Sequence, residues 1–394
     1  YRLQANGTLG ALQWDASALL PAHGSRALYT RNGTIPGAGG GVPFLWANLG
    51  MPQQAALNQR PDLTVDTLGQ NRVAWLRGDP AQQQSQGGVF RNRSAALGDI
   101  INSDPQFVGA QNFGYAALPV GTPGKDTYET FRRTKINTTT GAVLEPMIYV
   151  GANDGMLHGF DAATGVERFA YIPSTLIPEL NQLTDPSYSH RYFVDGQIGV
   201  GDAFINRGGT DKWASVLVGT TGAGGKTVFA LDITRPHAFA DTDVLWEFTD
   251  PDLGNPIGKP VVARMADGTW AAIFANGYNS TNQRAMLFVV RLADGVLLRK
   301  IDTGVGSLAV PNGLATPSLL ADGTRTIQAA YAGDLAGKVW KFDLSSNNPA
   351  SWGLAFGASP LFTATDDLGV AQPITAPPQI GRHPNGGYMI YVGT

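Results

Sequence analysis

The sequence predicts an all-β fold, specifically a β-propeller of about seven modified blades with loop insertions. Glycine accounts for 50 of the 394 residues. Long helices are therefore disfavoured, because each glycine inside a helix costs about 1 kcal/mol relative to alanine. Apolar residues make up 43% of the chain, which is enough for a core and excludes a disordered chain. The third observation is an internal repeat of short β-rich runs joined by glycine turns.

The clearest repeat relates residues 151–161 to residues 333–343. Glycine, glycine, phenylalanine and aspartate recur at identical offsets in the two segments, as Gly151, Gly155, Phe160 and Asp161 and as Gly333, Gly337, Phe342 and Asp343. A β-rich run precedes each segment, at 147–150 and at 329–332. Two such runs around a glycine turn predict a β-hairpin.

Looser copies of the hairpin extend the repeat along the chain. Glycines end β-rich runs at 109, 151, 219, 277, 333 and 393, at intervals of roughly 40 to 70 residues. This period with several strands per unit is typical of a propeller, in which each blade buries its faces against its neighbours. Residues 1–20 are a candidate closing strand, which brings the expected number of blades to seven. Two stacked β-sandwiches are the alternative.

A closed ring implies a single β-propeller domain over residues 1–394. Because the sequence starts at Tyr1 and stops within an apparent strand, we expect it to be a fragment whose N-terminal region and C-terminal end are missing. Between the hairpins, 30–41 and 82–88 are expected to be loops. Residues 173–191 are expected to contain a short helix, since Leu176, Ile177 and Leu180 follow a proline and a serine.

Composition and charge exclude several classes of partner and chemistry. The net charge is -3 and no segment carries a strong basic run, which argues against nucleic acid as a partner. No apolar stretch approaches the roughly 20 residues of a membrane-spanning helix. The chain has no cysteine, so disulfides, thiol catalysis and zinc–thiolate sites are excluded. A surface rich in Gln, Asn, Thr and Ser favours an exported protein.

Several motifs in one order give the chain a resemblance to a known family. The segments that carry it are 149–161, 190–196, 76–79, 90–94, 97–103, 222–226, 229–232, 248–254, 331–334 and 340–344. Together they resemble the C-terminal propeller of the PilC/PilY family of type IV pilus biogenesis factors and pilus-tip adhesins. The resemblance implies a non-catalytic role in pilus extension against retraction, twitching motility and surface attachment. It also implies a location at the cell surface, the pilus tip or the outer membrane, with pilus subunits and assembly proteins as partners.

The resemblance also directs attention to calcium. The family often carries an acidic loop of the form D-x-N-x-D-G-x-x-D just before the strand at 331–334, and oxygen ligands of this kind suit Ca²⁺. Here 319–328 retains only Asp322, so we expect no calcium at this loop and no metal or other cofactor. The pairs Asp366–Asp367 and Asp250/Asp252 are weaker candidates, for which solvated turn carboxylates are the alternative.

Arg77, Gly78 and Asp79 form the tripeptide that integrins recognise, and they are the candidate receptor-binding residues for a host-cell or surface receptor. The alternative is a glycine turn before Pro80 in which Arg77 makes a local ion pair.

Other chemistries have weaker support. The glycines of 222–226 lack the spacing of a phosphate-binding loop, and a strand is expected after them. The five histidines share no metal-binding spacing, and His158 is expected to be packed or hydrogen-bonded. Residues 160–165 resemble the Asp-x-x-Thr-Gly turn of quinoprotein dehydrogenases, which is an enzyme alternative with less support. A carbohydrate-binding or receptor-binding propeller is the other alternative, with Trp46, Trp213, Trp270 and Trp352 as candidate aromatic contacts.

Overall fold

The computed structural model of this protein describes residues 1, 4–34 and 36–394. Their strands form sheets in which consecutive segments pair antiparallel, and three of the sheets receive an extra strand or strand pair at the edge. We call the first four sheets blades 1 to 4.

The strands of blades 1 and 2, with the early strands that join them, are β1 (Leu28–Arg31), β2 (Gly37–Ala38), β3 (Gly41–Pro43), β4 (Gln106–Val108), β5 (Met147–Ala152), β6 (Met156–Asp161), β7 (Glu167–Tyr171), β8 (Ile198–Arg207), β9 (Thr210–Thr220), β10 (Val228–Asp232) and β11 (Val244–Phe248). The later strands are β12 (Val261–Arg264), β13 (Trp270–Ala275), β14 (Met286–Arg291), β15 (Leu297–Asp302), β16 (Ser318–Ala321), β17 (Ile327–Gly333), β18 (Lys338–Asp343), β19 (Gly353–Leu354), β20 (Phe362–Thr363), β21 (Gln379–Arg382) and β22 (Tyr388–Tyr391).

Helices lie in the segments between strands. The α-helices are α1 (Met51–Leu57), α2 (Gly69–Arg77) and α3 (Tyr128–Arg133). Turns of 3₁₀-helix occur at Trp46–Asn48, Gln84–Gln86, Tyr115–Ala117, Lys125–Thr127, Ser174–Thr184, Gly222–Gly224, Pro236–Ala238, Asp241–Asp243 and Pro349–Ser351.

Each blade follows the chain from strand to adjacent strand. The central orders are β4-β5-β6-β7, β8-β9-β10-β11, β12-β13-β14-β15 and β16-β17-β18-β19, and β21 pairs with β22 in a separate hairpin. The first strands of blades 2 and 3 lie close together. A methyl group added at Gly199 of β8 would clash with the carbonyl of Pro260, which directly precedes β12. Such stacking of successive four-stranded meanders is the propeller arrangement. The described residues form five sheets in all, so the expected number of seven blades is not confirmed.

The repeated hairpin is confirmed. Residues 151–161 span β5 and β6, and residues 333–343 span β17 and β18. The turn glycines Gly155 and Gly337 both have a positive φ, of 93° and 71°. This conformation is strained for residues with a Cβ, which explains why glycine recurs at this offset.

The segment that pairs with the outer edges of blades 1 and 2 is not the predicted closing strand 1–20. Of the proposed closing strand 1–20, residues 2 and 3 lie outside the described residues, and no strand forms within residues 4–20. Instead β1 pairs in parallel with β7, the last strand of blade 1, while β2 pairs with β11, the last strand of blade 2. The prediction that 30–41 is a loop was therefore wrong in part: 30–31, 37–38 and 41 lie in strands, whereas 32–34, 36, 39 and 40 do not, and residue 35 is outside the described part. Pairing with two open edges overrode its glycine-rich composition.

We call residues 26–34 and 36–43 the strap, because they cross the outer edges of two consecutive blades. Blade 1 gains β1 and β3 and becomes a six-stranded sheet, while blade 2 gains β2 and becomes five-stranded. The strap thus links two blades that are otherwise joined by the chain at 172–197. An edge strand covered in this way no longer presents unpaired backbone groups to another molecule.

A tryptophan contact recurs at the turn between the third and fourth strands of a blade. The Trp246 indole Nε1 donates to the Leu292 carbonyl (2.8 Å) and its ring covers Gly295. Trp14 does the same in blade 1, donating to the Ala162 carbonyl (3.2 Å) beside Gly165. Trp246 comes from the last strand of the preceding blade, so Trp14 takes the place that a preceding blade would fill.

Inserted segments pack on the blades in two regions. The first region, the helical lobe, combines α1 and α2, which lie between β3 and β4, with the 3₁₀-helix 174–184, which lies between β7 and β8. Leu176, Ile177 and Leu180 of this 3₁₀-helix are buried. A helix within 173–191 is thus confirmed, although it is of the 3₁₀ type. Pro178 lies inside this helix and cannot donate a backbone hydrogen bond there.

The second region, the cap, comprises residues 110–146 between β4 and β5. Its Tyr115 and Tyr128 pack against Trp213 of blade 2, and Tyr115 meets Trp270 of blade 3 edge-on at 4.8 Å between ring centroids. The Trp213 indole donates to the Gly124 carbonyl of the cap (2.7 Å). The cap therefore holds blades 2 and 3 together through a shared aromatic cluster.

Candidate functional site

A buried network of charges connects the strap to the repeated hairpin of blade 1. His158 on β6 lies between two carboxylates: its Nδ1 is 2.7 Å from Glu167 Oε1 and its Nε2 is 3.1 Å from Asp154 Oδ1. Arg26 of the strap binds Glu167 through two hydrogen bonds of 2.7 Å each. All four side chains are buried. The hairpin fold brings His158 beside Glu167, because β6 and β7 pair antiparallel.

The network shifts the protonation of its members. Burial alone would lower the pKa of His158, but Asp154 and Glu167 outweigh burial and raise this pKa to about 9. Burial alone would raise the pKa of Glu167, but Arg26 and His158 outweigh it and lower this pKa to about 2. At neutral pH the histidine therefore carries a positive charge that two carboxylates neutralise. A histidine held in this state acts as a structural cation.

The tripeptide proposed for receptor binding lies next to this network. Arg77 ends α2 and is buried, and its guanidinium donates to the carbonyls of Arg26 (2.7 Å) and Phe44 (3.2 Å). Asp79 is half-buried and accepts from the backbone N–H of Ala81 (2.9 Å). Recognition by a receptor through Arg77 would require this side chain to leave both carbonyls. The alternative of a local turn describes this geometry better, although the partner of Arg77 is backbone rather than a carboxylate.

Asp322, the one acidic residue retained where the family often carries a calcium loop, lies in the turn between β16 and β17. Its Oδ1 accepts from the backbone N–H groups of Thr324 (2.8 Å) and Thr326 (3.1 Å), and its Oδ2 accepts from Gln328 (3.0 Å). Asp366 likewise accepts from the backbone of its own turn, at Leu368 and Val370. Both carboxylates shape turns, as Asp side chains commonly do.

Asp250 and Asp252 do converge, and a cation of the protein lies between them. Lys300 Nζ is 2.9 Å from Asp250 Oδ1 and 2.7 Å from Asp252 Oδ2. Asn282 also donates to Asp252 (2.5 Å). The ammonium group occupies the position that a metal ion would need. Within the described part of the chain, no group of three or more His, Asp or Glu side chains is arranged to hold a metal.

The remaining motifs have structural roles. Glycine-rich 222–226 forms a 3₁₀ turn that leads into strand β10, as predicted, and Lys226 donates to the Asn279 carbonyl. Asp161 Oδ1 accepts from the N–H groups of Ala163 and Thr164, so the Asp-x-x-Thr-Gly segment is a turn stabilised by its own side chain.

The tryptophans considered for carbohydrate binding are mostly unavailable. Trp213, Trp270 and Trp352 are buried, and only Trp46 is partly exposed.

A cleft between the strap and blade 2 was not predicted from the sequence. Its volume is about 900 Å³, and its charged lining residues are Arg207, Lys212, Asp232, Arg235, Asp241 and Asp243. Arg207 binds Asp232 (2.9 Å) and donates to the Thr242 carbonyl (2.9 Å), which fixes one wall. These residues are far apart in sequence and share no motif. The cleft is apparent only in the folded protein, where the strap crosses blade 2.

The described residues contain no helix with the length and apolar character needed to cross a membrane.

Comparison with known proteins gives consistent matches. The family described as the PilY1 beta-propeller domain matches residues 97–394. The type IV pilus biogenesis factor PilY1 of Pseudomonas aeruginosa strain UCBPP-PA14 is 41% identical over 99% of this chain and 35% of its own length. A PilY1 homolog of Xylella fastidiosa is 37% identical over 100% of this chain and 29% of its own. The chain thus spans about a third of the length of these relatives.

A solved structure matches as well. The crystal structure of the Pseudomonas aeruginosa PilY1 C-terminal domain aligns with a TM-score of 0.59 and 39% identity, covering 73% of this chain and 59% of that one. The match supports the propeller architecture described above.

Proposed function

The chain belongs to the family of PilY1 β-propeller domains, and from this premise we propose that it serves type IV pilus biogenesis as a non-catalytic interaction module. The observation that carries the proposal is the similarity to pilus biogenesis factors over 99% of the chain, at 41% identity. Relatives at this identity share a fold, and the family model matches residues 97–394. The proposed partners are pilus subunits and pilus assembly proteins, at the cell surface, the pilus tip or the outer membrane.

The geometry supports a binding role. The chemically distinctive groups already described, His158, Asp322 and Lys300, are all engaged in contacts within the protein. Insertions and the strap join neighbouring blades, which makes a stiff platform, while surface segments offer varied contacts. We infer that this platform docks with pilus or assembly proteins and supports pilus extension against retraction, and with it twitching motility and attachment.

The proposal is tested in the bacterium that encodes the protein. An in-frame deletion of the 394 residues should reduce the number of surface pili, counted by electron microscopy, and should abolish twitching. If the domain opposes retraction, pili should return when the retraction motor is also removed. Unchanged piliation in the deletion strain, with the remaining protein present at normal amount, would contradict the proposal.

A further inference from the structure

We propose that Arg91 and Arg93, which flank Trp75, form a binding site for a carboxylate side chain of an acidic peptide. The site is a pocket of about 320 Å³ beside the helical lobe, and its lining includes Trp75, Arg91, Arg93, Asp99, Asp154 and Tyr188. This volume lies at the small end of ligand pockets, which suits one side chain better than a larger ligand. The inference does not depend on the proposed function.

The two guanidinium groups are stacked on aromatic rings. The Cζ atom of Arg93 lies 3.7 Å from the centroid of the Trp75 ring, and that of Arg91 lies 4.2 Å from the centroid of the Tyr188 ring. Stacking holds each group in one orientation, so little side-chain entropy remains to be lost when a ligand binds.

Most of their hydrogen-bonding capacity is unused. Arg91 Nε donates to the Leu183 carbonyl (3.0 Å), and Arg93 donates to the Trp75 carbonyl. Each guanidinium has five N–H groups, so four on each remain without a protein acceptor in the described part of the structure. In the described part of the chain, no carboxylate oxygen lies within 4.0 Å of a guanidinium nitrogen of Arg91 or Arg93. Arginine is the side chain best suited to grip a carboxylate with two parallel hydrogen bonds.

The acidic residues of the pocket do not supply the missing anion. Asp99 accepts from His190 (2.8 Å) and from Asn153 (3.1 Å). Asp154 faces His158 and accepts from the Gly98 N–H (2.9 Å). Both carboxylates already have partners, and neither forms an ion pair with Arg91 or Arg93 within 4.0 Å. Burial, followed by the repulsion from Arg26 and Arg91, lowers the pKa of Arg93 to about 10 against the opposing attraction of Asp154.

A second, independent observation concerns the indole of Trp75. The side chain is 1% exposed, and its Nε1–H is buried without a hydrogen-bond partner in the described residues. A buried donor without an acceptor is costly, and native proteins rarely leave one unsatisfied. Two partly desolvated cations thus line the pocket together with Trp75, whose indole N–H has no acceptor, and a carboxylate is the partner that both guanidinium groups lack.

The test is an NMR titration that follows the eight tryptophan indole N–H signals, with the Trp75 signal assigned from Trp75→Phe. The probe is the capped tripeptide acetyl-Gly-Glu-Gly-amide, and the same peptide with Gln in place of Glu is its control. The Glu peptide should shift the Trp75 signal, and the Gln peptide should not. Arg93→Gln and Arg91→Gln should each weaken binding at least tenfold, while Arg382→Gln, at an exposed arginine of β21, should leave it unchanged.

Unchanged positions of the other indole signals show that each variant remains folded. An equal response to the Gln peptide, or full affinity in both arginine variants, would overturn the proposal. Sulfate binding as tightly as the Glu peptide at equal ionic strength would also overturn it, because the pocket would then recognise anions without selecting carboxylates.

Discussion

At the scale of single residues, the most unusual group is the buried and positively charged His158. Its two carboxylate neighbours are separated from it by four and nine positions in sequence, and Arg26 completes the network from the strap. Breaking a buried pair by removing one partner leaves an uncompensated charge, which is strongly destabilising. The network therefore makes the stability of blade 1 sensitive to the protonation of one ring.

We expect the stability of the protein to fall between neutral and alkaline pH. The pKa of His158 is raised from 6.5 in the unfolded chain to about 9 in the fold. Its contribution, about 3 kcal/mol for a shift of this size, is complete below pH 6.5 and is lost as the pH rises through 9. Melting temperatures measured from pH 6 to pH 10 should show this decline.

The decline should be flattened in His158→Gln, which will also be less stable at pH 7. His383→Gln, at an exposed histidine in the turn of the β21–β22 hairpin, should keep the full decline. The same slope in His158→Gln as in the natural protein would show that another group is responsible.

Asp322 leads to a prediction about calcium. Because its carboxylate already accepts hydrogen bonds within the β16–β17 turn, we expect calorimetric titration with Ca²⁺ to give no heat that depends on Asp322. Asp322→Ala should instead lower stability by about 1 kcal/mol, the usual worth of such a turn contact. A calcium-binding heat that disappears in Asp322→Ala would contradict the expectation that this loop binds no calcium.

At the scale of structural elements, tryptophans fasten one segment to the turn of another. A methyl group added at Gly165 would lie 2.6 Å from the Trp14 ring, and one added at Gly295 would lie 2.8 Å from the Trp246 ring. Both glycines have a positive φ, of 75° and 76°. Steric room and backbone conformation therefore both require glycine at these turns.

Alanine at Gly165 or Gly295 should consequently destabilise the protein by about 2 to 4 kcal/mol, which adds the conformational strain to the displacement of a packed indole. Gly369→Ala is the matched control, since Gly369 has a φ of 78° but nothing within 4 Å of an added methyl group. It should cost only about 1 kcal/mol. Chemical denaturation measures the free energy of unfolding of all three variants. Equal losses of stability in the three would show that the indole contacts contribute nothing.

At the scale of the whole molecule, the strap and the cap join blades that are not fixed by their own strands alone. The strap supplies edge strands to blades 1 and 2 and brings Arg26 to the buried network. The cap brings Tyr115 and Tyr128 to the aromatic cluster that it shares with blades 2 and 3. Non-local contacts of this kind couple blades into a cooperative unit, because one cannot open without disturbing the other.

Removing residues 1–43 should therefore lower the melting temperature by roughly 10 °C, since Glu167 and His158 lose Arg26 and two sheet edges are exposed. Removing only residues 1–12, which precede Trp14, should have little effect. Thermal unfolding followed by circular dichroism distinguishes the two truncations. Equal stability of the longer truncation and the natural protein would show that the strap is dispensable.

The local elements and the class of fold follow from the sequence alone. The hairpins at 151–161 and 333–343 follow from apolar runs and from a turn that only glycine adopts easily, and both properties are local. The helix within 173–191 also follows from a local pattern, namely the spacing of its apolar residues after a proline and a serine. Asp161 and Asp366 also stabilise turns through hydrogen bonds to backbone groups that are only a few positions away in the sequence.

The contacts of motifs that look exposed in the sequence become clear only in the folded protein. Arg77 reads as part of a receptor motif, yet its guanidinium is buried against carbonyls from the strap and from the segment after it. The segment 30–41 reads as a loop, yet it supplies strands to two blades. The pocket of Arg91 and Arg93 also exists only because the helical lobe folds onto blade 1. Hydrogen-bond partners and burial depend on which distant segments meet, and a local pattern of residues does not specify those meetings.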